Sequence, residues 1–285
     1  MHRYVNCIAH NSSEGQLLLG EKRTALFDCG MMFCAGETIR RVRNALGGRP
    51  LDYIFLTHTH YDHIGALPFF RAEWPGVLAV TSETGAANLL KDTPRRVIRE
   101  FSAVAAGTQG VTLDMTYGDE AFQADVIVRD GDAVPLGGLT VEVLETPGHT
   151  RDSLCHYIPE LALLLLNETP GVLMPDGAVY PCYLTGYGDT IRSIEKCRGK
   201  EIAFLSLPHR GIAAAEDADG FFDRALAANA ACREFILDMR GKGLAEDEML
   251  DLFCRQYGSD VLLTFQPREA FFANARATIA CTLRE

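Results

Sequence analysis

A chain of 285 residues, 47% hydrophobic and 23% charged, is long enough to bury a large core and has the balance of an ordinary folded protein, not a disordered or fibrous one. Its 38 acidic residues exceed its 27 basic ones, for a formal net charge of −11, and no dense Lys/Arg run is present to track a phosphate backbone, which argues against nucleic acid as a partner. The nine cysteines are scattered, without a C-x-x-C pair or an export-like start, and the longest apolar stretch, Leu161 to Leu166, is far shorter than the roughly 20 residues that cross a bilayer; the chain reads as soluble, with no membrane partner and with reduced thiols, as expected in the cytoplasm.

Short apolar runs bounded by Gly, Pro and Asp predict strands at Gln16 to Leu19, Thr24 to Phe27, Tyr53 to Leu56, Val77 to Thr81, Ala124 to Val128, Leu139 to Leu144, Leu161 to Leu166 and Ile202 to Leu205. Helical periodicity predicts helices at Gly36 to Leu46 and Glu83 to Leu90, and the alternation suggests an α/β core with helices over its sheets. Lys91 to Tyr117 reads as irregular helix and loop, either an insertion near a site or a solvated connection. After about residue 215 the strand signals stop. Three helical stretches follow, around Phe222 to Met239, Met249 to Tyr257 and Phe272 to Leu283. The expected division is therefore 1–215 for a core domain and 216–285 for a helical extension that packs on it, with a lid or a homodimer contact as its other use.

Directly after the strand Tyr53 to Leu56 comes THTHYDHIG, which places His58, His60, Asp62 and His63 within six positions. On an extended chain i and i+2 share a face, so His58 and His60 project together, while Asp62 and His63 lie one turn further on. Imidazole and carboxylate donors suit Zn²⁺ and Fe²⁺ best, with Mn²⁺ plausible. Four donors so close in sequence cannot all serve one ion in good geometry. Two more histidines stand after predicted strands beside Pro and Gly: His149 in LETPGHT and His209 in FLSLPHRG.

HTHYDHIG, TPGHT and LPHRG, preceded by ALFDCG at 25–30, resemble the metallo-β-lactamase superfamily of binuclear metallohydrolases, in order and spacing over roughly residues 15 to 212. The resemblance implies a four-layer αββα sandwich with two divalent metal ions at the sheet edge, one held by His58, His60 and His149, the other by Asp62, His63 and His209. The family's bridging aspartate, often in a Gly-Asp pair, corresponds here to Glu168 in LLNETPG. The longer side chain leaves a Glu-bridged pair, a looser second site or a single ion as options, of which the bridged pair is preferred. Asp28, by the same resemblance, steadies the metal-binding loops; a turn-capping carboxylate is its other reading.

Two ions sharing a water bring its pKa toward neutrality, and Asp62 is placed to orient that water and accept its proton. The expectation is a metal-dependent hydrolase, most simply with zinc, acting on a small ester, thioester or lactone. A phosphodiesterase or β-lactam hydrolase on the same centre, a di-iron redox enzyme and a metal-stabilised binding module are the alternatives. His60 stands where the flavodiiron branch typically has Glu, and no room remains for a flavodoxin-like domain. Met31, Met32, Phe33, Tyr180, Tyr183, Tyr187 and Arg210 are candidate pocket residues, and Arg95, Arg96 and Arg99 a candidate anion-binding cluster.

Overall fold

The computed structural model describes residues 3–10, 13–264 and 266–285 and divides the strands of its core between two six-stranded sheets. The first sheet takes β1 (Tyr4–Asn6), β2 (Gln16–Leu19), β3 (Thr24–Phe27), β4 (Tyr53–Phe55), β5 (Leu78–Ser82) and β6 (Val126–Val128) in chain order, and β3 to β6 are parallel. Parallel neighbours need long crossovers, which here are helical. They are α1 (Ala35–Leu46), then α2 (Tyr61–Ile64) with α3 (Leu67–Glu73), then α4 (Glu83–Leu89) with α5 (Asp92–Thr108).

The second half supplies β7 (Ala133–Pro135), β8 (Thr140–Glu145), β9 (Leu154–Ile158) and β10 (Leu163–Leu165). A small hairpin of β11 (Val172–Leu173) and β12 (Val179–Tyr180) and the helix α6 (Tyr187–Arg198) precede β13 (Phe204–Leu207) and β14 (Gly211–Ala214). The second sheet runs β14-β13-β10-β9-β8-β7, with β10 and β13 parallel. The chain then becomes α7 (Ala215–Gly241), α8 (Glu246–Tyr257) and α9 (Arg268–Arg284).

The period-2 alternation of short strands sets the layering. In β3, Ala25 and Phe27 face the second sheet and join Phe55, Val80, Val143, Leu154 and Leu165 in the core between the sheets. Leu26, between them, turns outward with Ile54 and Ala79 against Val42 of α1 and Phe70 of α3. On the reverse of the second sheet, Cys155, Leu164 and Leu205 pack on Ile194 of α6 and Phe221 and Phe222 of α7. Both faces of each sheet are thus covered, as an αββα sandwich requires, and this is why the strands read as unbroken apolar runs. The last three helices close around Cys232, Ile236, Met249, Phe253 and Ile279, and Tyr183 from the core enters that cluster with its hydroxyl bonded to Thr282 at 2.9 Å.

Several local expectations shift. The stretch from Lys91 holds a regular 17-residue helix, α5, because Pro94 falls in its first turn, where a missing N–H costs nothing. The run Leu161 to Leu166 starts as a 3₁₀ turn and becomes strand only after Ala162, whose φ is 45°. Strand β9 carries no clear sequence signal because His156 interrupts its apolar pattern, nor does α6, because Gly186 and Gly188 flank its start.

His156 is fully buried between the sheets, with Phe27 and Phe55 at ring-centroid distances of 5.0 and 5.2 Å, and neither ring nitrogen has a hydrogen-bond partner. Burial pushes its pKa down to about 3. The folded state thus rejects a proton that the unfolded chain accepts below about 6.5. The neutral ring's contribution to stability is complete above that value and is lost as the pH falls from there toward 3. By this linkage the fold loses about 2 kcal/mol between pH 7 and pH 5 through His156 alone. Urea unfolding at the two pH values should show His156→Leu more stable than the parent at pH 7 and less sensitive to acid by about that amount. Equal acid sensitivity of the two proteins would show that His156 does not govern it.

Candidate metal centre

All the singled-out donors sit beyond the carboxyl ends of strands, at one edge of the sandwich, the place where open α/β sheets gather ligands. Asp28 follows β3, His58 and His60 follow β4, and Asp62 and His63 lie on α2. His149 follows β8, Glu168 follows β10 and His209 follows β13. The chain pays a conformational cost there. Of the three described non-glycine residues with positive φ, two are Asp28 (55°) and His209 (61°), each a strain on the order of 1 kcal/mol.

The seven donors expected from sequence come together as two overlapping groups. His58, His60, His149 and Glu168 form one, and Asp62, His63, His209 and Glu168 the other, each with its ligand atoms within 4.8 Å of one another. Glu168 belongs to both. Its Oε2 lies 2.8 Å from His149 Nε2, 3.4 Å from His58 Nε2 and 3.7 Å from His63 Nε2, while its Oε1 is 3.0 Å from His209 Nε2. His60 Nδ1 and His149 Nε2 face each other at 2.9 Å, and the buried Nε2 atoms of His58 and His63 make no hydrogen bond. Buried nitrogens without partners around a shared carboxylate are what a divalent cation satisfies, and the nitrogen and oxygen donor set fits one.

The electrostatics follow from that crowding. Burial raises the Glu168 carboxyl, but His149, His209 and His58 outweigh it and hold it well below the usual carboxylate range. Burial, then the neighbouring imidazoles His63 and His60, pull His58 well below its ordinary value, and burial with His149 beside it takes His60 to about 3. His63 goes the other way, since Asp28 and Asp62 overcome its burial. Asp62 is raised by burial and by Glu168. Neutral His58 and His60 have free lone pairs to offer a cation.

A second tier of groups orients these donors. Asp28 Oδ2 accepts from His63 Nδ1 and from Thr57 Oγ1, both at 2.7 Å, and its Oδ1 accepts from the Thr57 backbone N–H at 2.8 Å. His149 Nδ1 donates to the carbonyl of Cys182 at 2.9 Å. Glu14 stands buried behind His209 and accepts that residue's backbone N–H, and Asp152 accepts the backbone N–H of Thr59 at 3.0 Å. The sequence reading passed over Glu14 and Asp152; a carboxylate in a polar loop such as SSEG carries no local sign of burial. Gly148, at φ 152°, leads into His149 with Thr190 and Thr169 packed where a side chain would go.

The candidate pocket residues divide. Tyr180 lines the cavity above the cluster, whereas Met31 and Met32 pack under α1 and Tyr183 is sealed among the last helices. Arg210 donates to the carbonyl of Leu173. Arg95 and Arg99 are engaged by Asp119, and Arg95 also by Asp92, so these members of the candidate anion-binding cluster are taken up in intramolecular ion pairs.

Residues 16–209 match the family model described as the metallo-beta-lactamase superfamily. Among curated relatives, the chain is 27% identical over 135 residues to a hydroxyacylglutathione hydrolase of Methylobacterium nodulans, covering 47% of this chain and 39% of the relative. It is 28% identical over 159 residues to a coenzyme F420H(2) oxidase of Methanothermobacter marburgensis, covering 54% and 33%. The chain spans between a third and about half of the length of such relatives. In fold it is similar to a metallo-beta-lactamase family protein of Thermus thermophilus, with a TM-score of 0.65 and 21% identity, covering 98% of this chain and 92% of that one.

Asp28 fixes the His63 tautomer, and loss of such an orienting carboxylate typically lowers metal affinity 10- to 100-fold. Chelator-competition titration of Asp28→Asn should show a loss of about that size with the fold intact; parental affinity in the variant would deny Asp28 this role.

Proposed function

Because the chain belongs to the metallo-β-lactamase superfamily, we propose that it is a metal-dependent hydrolase of a small ester, thioester or lactone. In this reading His58, His60 and His149 would hold one divalent ion and Asp62, His63 and His209 a second, with Glu168, which belongs to both donor groups, shared between them. Zinc is the proposed metal and the cytoplasm the proposed place of action. The described residues include no helix long and apolar enough to cross a membrane.

One observation carries the catalytic part. His60, Asp62, Glu168 and His209 form the floor of a cavity, while His58, His63 and His149 lie buried behind them. A purely structural metal site is closed on all sides, whereas this one is open on one side to a molecule from solvent. Bound there, two divalent ions supply Lewis acidity and bring the pKa of a water toward neutrality.

The chain's own residues do the rest. Asp62, on the open side, orients the attacking water, accepts its proton and returns it to the departing oxygen or sulfur. The balance is that of simple hydrolysis: water adds at the acyl carbon, the C–O or C–S bond breaks, and a carboxylic acid and an alcohol or thiol leave. Asp28 and Thr57 hold His63 in register, and Glu14 does the same for the strained His209.

Elemental analysis of the protein should find two divalent ions per chain, with a thioester, lactone, phosphodiester and β-lactam panel showing turnover of the first two. His58→Ala, folded by circular dichroism, should lose that turnover by at least about 100-fold. A single ion per chain would remove Glu168 from its bridging place. Iron with oxygen consumption and no hydrolysis would favour the redox reading instead.

A further inference from the structure

The cavity above the cluster has a volume of about 680 Å³, within the range of small-molecule sites. Two of its walls come from outside the ligand-bearing loops. One is α5 and the turn before it, with Pro94, Val97, Ile98 and Phe101 turned inward; another is α9 and its preceding turn, with Leu262, Ala270, Ala273 and Ala277. Val172 and Tyr180 of the β11–β12 hairpin add to the lining.

The α9 contribution is divided by size. Ala270, Ala273 and Ala277 recur at helical spacing on the cavity side. Phe271 and Ile279, on the same helix, are buried in the clusters beneath. The small side chains leave the space that the large ones elsewhere on α9 would fill. Charge is confined to the floor and the mouth, where Lys91, Arg151 and Asp152 line the cavity. Lys91 and Arg151 are exposed, and the neutral polar Asn88, Gln266 and Asn274 complete the walls. Apolar side chains remain exposed beside both helical walls, Leu90 before α5 and Val261 and Leu263 flanking Leu262.

We propose that this cavity receives the aliphatic acyl chain of the substrate, with the scissile carbonyl on the floor at Asp62 and Glu168. The chain lies along α5 and α9, and the polar leaving group points to the cationic mouth at Lys91 and Arg151. The inference rests on the hydrolase reading above and makes the C-terminal helix α9 the element that selects acyl length.

The test uses the full-length, zinc-loaded protein and p-nitrophenyl esters from acetate to decanoate, together with calorimetric binding of decanoate, which needs no turnover. The value of kcat/KM should rise about fourfold per methylene until the cavity is full, the factor that ~0.8 kcal/mol of apolar transfer corresponds to. Ala273→Trp and Ala277→Phe should each lower the decanoate-to-acetate ratio of kcat/KM at least tenfold and weaken decanoate binding to match. Acetate turnover with no preference for length, or a ratio unmoved in both variants, would overturn the acyl pocket and leave the hydrolase standing. No hydrolysis at any length, nor of the thioester and lactone panel, with decanoate binding still blocked by Ala273→Trp, would keep the pocket and sink the hydrolase. Neither turnover nor binding overturns both.

Discussion

One buried carboxylate organises the functional edge of this protein. Glu168 lies within 3.7 Å of His58, His63 and His149 and 3.0 Å from His209, with Asp62 close behind in the same donor group. Such a carboxylate is costly to bury unless cations or strong donors surround it. The imidazoles supply part of that compensation, while burial, and then crowding by the neighbouring rings, drives His58 and His60 toward neutrality. The cluster is thus a poor structural device on its own and a good receptor for positive charge.

That arrangement depends on the sheets. The parallel run from β3 to β6 and the parallel pairing of β10 with β13 send several strand ends to the same edge, so donors more than a hundred residues apart in sequence meet there. The two strained positions, Asp28 and His209, are the first residues off β3 and near the end of β13, where the backbone must turn sharply to aim a side chain. Their φ angles are tolerated because each is tied down, Asp28 by Thr57 and His63 and His209 by Glu14. A buried cluster and a strained backbone therefore support each other.

How much of this the sequence reveals depends on whether the signal is local. The sandwich and the meeting of the seven candidate donors were legible because strand-then-histidine patterns are local and the superfamily motifs are specific. His58, His60, Asp62, His63, His149, Glu168 and His209 do converge, and Glu168 stands in both donor groups even though its longer side chain departs from the usual aspartate. Glu14 and Asp152 were not legible, since their roles exist only once distant loops meet. The pocket fared worse. Of the residues proposed beside the ligands, Met31, Met32 and Tyr183 went into cores, because proximity in sequence to a ligand says little about which way a neighbouring side chain turns; the candidate anion-binding arginines Arg95 and Arg99 of α5, a separate group, went into ion pairs.

The cavity itself was invisible to the sequence for a related reason. Its floor belongs to the strand ends, but one of its walls is α9, more than fifty residues beyond the last donor, His209. The ligand-bearing loops are held by strain, burial and shared hydrogen bonds, so nearly any change there disturbs the whole cluster. On α9, Ala273 and Ala277 line the cavity while Phe271 and Ile279 anchor the helix in the clusters beneath. The candidate donors and the helical wall therefore belong to different parts of the fold, the first on strand ends and the second on α9. A cluster held by strain and shared hydrogen bonds is over-determined, whereas a wall of small side chains on a separate helix depends only on how that helix packs.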